Sequence, residues 1–322
     1  MITRRAATLP LLACGVAPAA LAQSFPDQPI RIVAPFAPGG PADTIARAIS
    51  GVMGQRLGQP VVVENRSGAG GAIGVENVAR SRPDGTSLVL ASNGALVILP
   101  HLMPRLGYDP LRDLAPVSLV LTVPQILVAR NTLPIRSLQE LIAEAKRRPG
   151  GLSYGSTGTG TAPHLATELL RLRAGITLTH VPYRGAAPAI TDLIGGQIDL
   201  MVGDVTVLLP QIRSGAVAAL AIAASARSPM LPEVPTMAEA GLPDVESEGW
   251  YALFAPAGTP PDRVARLQGA ARAAVEDPAT AASLRALGTT LVGGTPGELA
   301  TLLRAESAKW GGVVRDAQIQ LD

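Results

Sequence analysis

The sequence predicts an α/β chain folded as two interleaved lobes, and three observations predict it. Short apolar runs alternate with helix-patterned segments from Ile30 almost to the C-terminus, as strands and helices do in α/β layers. At 322 residues and 47% hydrophobic composition the chain can bury a large core, and this length favours two lobes over one. No repeat period, low-complexity tract or long Ser/Gly linker divides the halves, which argues against a tandem of independent domains.

The first strands are expected at Ile30 to Ala34, Pro60 to Glu64, Ser87 to Ala91, Pro116 to Leu121 and Gln125 to Ala129. A second set is expected at Leu152 to Tyr154, Thr177 to Val181, Ile198 to Val202, Ala218 to Ala223 and Tyr251 to Ala255. Between them, Ser137 to Glu140 and Thr236 to Glu239 have the spacing of helix-starting capping boxes, and Thr295 to Glu298 adds a proline at the first helical position. Interleaving places the lobe crossings near Gln125 and Ser225. Residues 23–125 and 226–322 would then form the first lobe and 126–225 the second.

Ahead of the first strand, Arg4 and Arg5 precede an apolar stretch from Ala6 to Leu21 and an Ala20-Leu21-Ala22 site, the order of a secretory signal peptide over residues 1–22. The pair Arg4-Arg5 also admits a twin-arginine route, and Leu11 to Cys14 loosely resembles a lipoprotein box. A membrane anchor is disfavoured, because the apolar stretch falls short of the roughly 20 residues that span a bilayer. Cleavage after Ala22 would remove Cys14, the only cysteine, and with it disulfides, thiol catalysis and thiolate metal sites. It would also remove two basic residues, bringing the 27 Lys and Arg level with the 25 Asp and Glu. The exported protein is then near neutral, with no nucleic-acid patch. Aromatics at 3% argue against base-stacking platforms and quaternary-ammonium cages.

Three glycine-rich loops each follow an expected strand and open a helix: Pro35 to Pro41, Gly155 to Thr161, and Arg184 to Pro188. A helix start offers unpaired N–H groups and the positive end of a dipole, so such loops hold anions without a basic side chain. In open α/β sheets they gather at the carboxyl ends of the strands. The stretch Asn65 to Gly74 lacks the glycine spacing of a dinucleotide fingerprint and reads as a tight bend against the first lobe. His164 and Glu168 share a helical face, but a third metal ligand is missing nearby and packing or capping is the better account. Asp43 and Arg47 stand one helical turn apart and suit an exposed pair, with the role of Asp43 open. No nucleophile elbow, zinc motif or phosphate loop occurs, so neither catalytic residues nor cofactors are expected.

Together these segments resemble the tripartite tricarboxylate transporter receptors, or Bug proteins. The likeness runs through Phe36 to Gly40 with Asp43 and Arg47, Asn65 to Gly74, Tyr154 to Ser156 and His164 to Leu169. It continues through Val181 to Gly185, Gly196 to Asp199, Leu231 to Thr236 with Glu239 to Gly241, and Ala255 to Pro260. The resemblance implies a two-lobed type II periplasmic-binding-protein fold with hinge strands between the lobes. It implies a monomer that captures a small mono- or dicarboxylate and delivers it to membrane permease subunits. By position, Phe36, Pro38, Gly39, Gly40, Asp43, Ser92, Asn93, Ser156, Thr157, Gly158, Thr159, Gly160, His164, Arg184 and Asp204 are the candidate ligand-binding residues. Val202-Gly203-Asp204 departs from the family pattern and leaves the role of Asp204 open. A sensor subunit of a signalling system would share this fold, and an exported enzyme is the remaining alternative.

Overall fold

A computed structural model describes residues 25–183 and 185–321. The expected leader with Cys14, and Arg184, lie outside the described residues.

Strand β1 (Ile30–Ala34) pairs in parallel with β2 (Val61–Asn65) on one side and β3 (Ser87–Ser92) on the other. Helix α1 (Pro41–Leu57) carries Ile45, Ile49 and Met53 at four-residue spacing, so one stripe faces the sheet and is buried. It stops at Gly58, whose φ of 74° suits glycine and whose N–H closes on the Gly54 carbonyl. Helix α2 (Ala72–Ala79) follows the Asn65 to Gly74 bend. A β-carbon on Gly74 would lie 2.6 Å from Pro35 Cβ and 2.9 Å from the Arg66 carbonyl oxygen, so this glycine lets the bend close on the end of β1.

After β3 a π-helical turn, Gly94–Ile98, leads into α3 (Leu99–Leu102), then α4 (Pro110–Asp113) and β4 (Leu114–Arg130). The two strands expected at 116–121 and 125–129 are one 17-residue strand. Pro124 lacks an N–H and reads as an interruption, yet it falls where β4 changes partners. From Leu114 to Pro124 β4 pairs antiparallel with β9 (Glu248–Pro256); from Gln125 onward it pairs with β7 (Leu200–Asp204) and β8 (Val217–Ile222). One strand therefore runs through both sheets.

The second sheet continues from β7 to β5 (Ser153–Ser156) and β6 (Thr179–Pro182), all parallel. Helices α5 (Leu138–Arg147), α6 (Ala162–Ala174), α7 (Ala186–Ile194) and α8 (Val205–Arg213) alternate with these strands. The return crossing is later than Ser225. Residues 226–247 stay with the second sheet: Met237 N–H bonds the Ile222 carbonyl, Ser247 N–H bonds the Ala223 carbonyl, and Leu231 and Val234 join the core of Ile126, Met201 and Leu208. The first sheet is re-entered at Glu248. Thr236 and Glu239 exchange both capping-box bonds, but they close a single turn that Gly241, at φ 88°, ends.

Helices α9 (Pro261–Glu276) and α10 (Pro278–Ala286), a short β10 (Thr290–Leu291) and α11 (Pro296–Asp316) complete the chain. Thr295 and Glu298 form the expected capping box at the start of α11. That helix buries Leu299, Leu303 and Trp310 in a core that also holds Val89 of β3 and Leu165 and Leu169 of α6, so one apolar core spans both sheets.

Candidate functional site

Where β4 and β9 cross between the sheets, a cleft of about 600 Å³ opens. Its first wall comes from Phe36 and Pro41 at the β1–α1 junction, Ala69 and Gly70 before α2, and Ser92 to Gly94 at the end of β3. Its second wall is the β5–α6 loop from Thr157 to Pro163, Ala186 at the start of α7, and Gly203, Asp204 and Val207 where β7 turns into α8. Gln125, Gly249 and Tyr251 of the crossing strands form the floor, and Leu321 reaches in from the C-terminus.

Helix starts supply the polar groups. The first turns of α1, α6, α7 and α8 all reach this cleft, and none of the four has a side-chain cap bond, so the N–H groups of those turns have no side-chain acceptor. By contrast Ser137, Asp277 and Thr295 cap α5, α10 and α11. Among the described lining residues there is no arginine, lysine or histidine.

The two principal loops are held from behind. Asp43 is buried; its Oδ2 accepts from Gly39 N–H at 2.9 Å and its Oδ1 from Arg47 Nε at 3.0 Å. The hydrogen bond from Arg47, seconded by Gly39, holds its pKa down to about 2. It shapes the first loop and does not line the cleft.

Ser156, wholly buried, accepts from Gly158 N–H at 3.2 Å and meets His180 Nε2 at 2.7 Å. Gly160 N–H donates to His164 Nδ1 at 3.1 Å. The two imidazoles stack at 4.0 Å between ring centres, over Tyr154, whose hydroxyl donates to Glu168 at 2.6 Å. Burial, and the neighbouring ring, push His164 down to about 4. His164 thus bonds a loop amide rather than the cleft.

Of the candidate residues, Phe36, Ser92, Asn93, Thr157, Thr159, Gly160 and Asp204 line the cleft together. Pro38, Gly39 and Gly40 form the first loop's turn outside the lining; Ser156 and Gly158 belong to the second loop but do not line the cleft, and His164 stands behind that loop. Asn93 spends its amide on structure: Oδ1 accepts from Gly94 N–H and Nδ2 donates to the Glu248 carbonyl. Sequence reasoning missed Gln125 and Tyr251. A glutamine inside an otherwise apolar strand, at the expected crossing, was the available signal for the first.

Two α/β sheets joined by crossing strands, with helix starts facing the cleft between them, define a two-lobed binding protein of the periplasmic type. The chain belongs to the tripartite tricarboxylate transporter receptor family, whose model matches residues 45–319. It is 41% identical over 308 residues to Protein BugT of Bordetella pertussis, covering 95% of this chain and 94% of that protein. Among solved structures it is similar to MatC from Rhodopseudomonas palustris with bound malate, at a TM-score of 0.77 and 37% identity, covering 90% of this chain and 100% of that one. It is also similar to R. palustris Rpa4515 with adipate, at a TM-score of 0.79 and 34% identity, covering 92% and 99%. Like its relatives in this family, it is a solute-binding receptor.

Proposed function

We propose that this receptor captures a small carboxylate in the cleft and presents it to the membrane permease subunits of a tripartite transporter, without altering it chemically. The observation that carries this is the convergence of four uncapped helix starts on a cavity of about 600 Å³ whose described lining holds no basic side chain. Helix-start N–H groups and the hydroxyls of Ser92 and Thr159 would hold the anion. Arg184, outside the described residues, would supply at most one further charge. The malate and adipate bound by the two R. palustris relatives are of the same ligand class.

In this reading residues 23–125 and 248–322 form one lobe and 126–247 the other, and the protein works as a monomer that closes about β4 and β9. Among the described residues no helix is long and apolar enough to cross a membrane. Export would follow cleavage after Ala22, and N-terminal mass analysis reads that directly, acylated Cys14 being the contrary result.

A thermal-shift screen of carboxylates tests the ligand class. A ligand at 100 times its Kd stabilises the fold by about 2.7 kcal/mol, a rise of several degrees at this size. If only sugars, metal ions or amines lacking a carboxylate shift the transition, the proposal fails. Recovery of a chemically changed ligand would overturn the non-enzymatic part.

A further inference from the structure

We propose that Asp204 selects the ligand's second functional group, so that the cleft takes carboxylates that also carry a hydrogen-bond donor, an ammonium or a hydroxyl, where they reach the crossing strands. This deepens the carboxylate proposal and rests on it.

Asp204 ends β7 and occupies the N-cap position of α8 with an extended backbone (φ −64°, ψ 136°). In that conformation an aspartate ordinarily accepts from an N–H of the first helical turn. Here it makes no such bond. Its Oδ1 instead accepts from Gln125 Nε2 at 3.3 Å. The amide cannot turn away, because the buried Ser247 hydroxyl donates to Gln125 Oε1 at 2.7 Å. The carboxylate is thus drawn from its helix toward the cleft, which it lines beside Gly249 and Tyr251.

A β-carbon on Gly249 would lie 3.7 Å from Asp204 Oδ1, in ordinary contact, so the β9 backbone runs close beside the carboxylate. Among the described residues no arginine, lysine or histidine forms an ion pair with Asp204, and one amide N–H is poor compensation for a half-buried carboxylate beside the floor of the cleft. Burial accordingly pushes its pKa up to about 6, against the pull of Gln125.

A ligand donor would complete the acceptor. A second ligand carboxylate at the same place would face a like charge, and two carboxylates in one site must share a proton. The wall is therefore built against plain dicarboxylates and for amino or hydroxy carboxylates.

The test is calorimetric titration of the exported protein, at pH 7.5, with four- to six-carbon carboxylates whose second group is methyl, hydroxyl, ammonium or carboxylate. At matched length the donor-bearing ligand is expected to bind at least tenfold more tightly than the dicarboxylate. Asp204→Asn should cut that preference at least tenfold, mainly by weakening the donor-bearing ligand. Asp204→Ser, which keeps a helix-capping residue, repeats the measurement if the asparagine variant does not fold. A preference that survives both substitutions, or wild-type protein that favours dicarboxylates, overturns the role of Asp204 and leaves carboxylate capture standing. Absence of binding by every carboxylate in the panel overturns both.

Discussion

Replacing His164 by asparagine should remove an acid sensitivity of the fold while preserving the loop it supports. The Gly160 N–H points at His164 Nδ1, which accepts only while that nitrogen is unprotonated. An asparagine Oδ1 can occupy nearly the same place and accept the same bond without titrating. The unfolded chain takes a proton on this ring near 6.5, whereas burial and the stacked His180 hold it down to about 4 in the folded protein. Between those values the unfolded state binds more protons. Stability that is full above pH 6.5 is therefore lost progressively as pH falls toward 4. At 1.36 kcal/mol for each pH unit, the loss from this one group is about 2 kcal/mol at pH 5 and about 3 kcal/mol at pH 4. Asp204 works in the opposite sense. Its pKa is raised from 3.8 to about 6, so its contribution is present at low pH and lost as pH rises through 6. Comparing wild type with His164→Asn cancels that term, since both carry Asp204. Urea unfolding at pH 7.5 and pH 5 is the assay, and the variant should lose about 2 kcal/mol less than wild type between the two. Equal losses would refute the assignment of the acid sensitivity to His164.

Gly158→Pro should weaken carboxylate binding at least tenfold by titration calorimetry, because proline cannot take the φ of 135° found there and removes the N–H that Ser156 accepts. Arg184→Ala should weaken binding less, and raising the salt concentration should have only a modest effect. If Arg184→Ala alone abolished binding, main-chain capture would be wrong. Gly74→Ala should cost about 1–3 kcal/mol in urea unfolding, since the added methyl would lie within 3 Å of Pro35 and the Arg66 carbonyl and forces the bend open. An unchanged midpoint would show that the bend relaxes freely.

Strands β1 and β3 were legible in the sequence because each is a short, largely buried apolar run flanked by turn residues. Ile30–Ala34 falls on the expected bounds, and β3 runs one residue past them. β4 was not legible as one strand. Pro124 looks like a break in any local window, and only the exchange of partners from β9 to β7 and β8 makes the missing N–H harmless. The late second crossing was hidden for a related reason. Residues 226–247 form no regular strand or helix beyond a bridge at Thr236, and what ties them to the second sheet is tertiary: Leu231 and Val234 against Met201, and Gln139 Nε2 on the Ala240 carbonyl. Local pattern carries no trace of such contacts.

The site was legible at its helix starts and illegible in what those starts do with their own caps. Gly40 and Gly185 have no side chain to cap with, so a glycine ahead of a helix correctly marks free N–H groups. Thr161 and Asp204 are residues that by type should cap α6 and α8, and a sequence reading would count those N–H groups as satisfied. Neither caps. The Thr161 hydroxyl is turned into its own loop, donating to the Gly158 carbonyl at 2.7 Å and accepting from Thr157, while Asp204 is held toward the cleft by Gln125. Thr161, diverted into its own loop, leaves the α6 start open to an anion, whereas Asp204 sets its own carboxylate at the α8 start. That asymmetry lets a single pocket distinguish the two ends of a ligand: N–H groups and helix dipoles favour a carboxylate at one, and Asp204 favours a donor at the other.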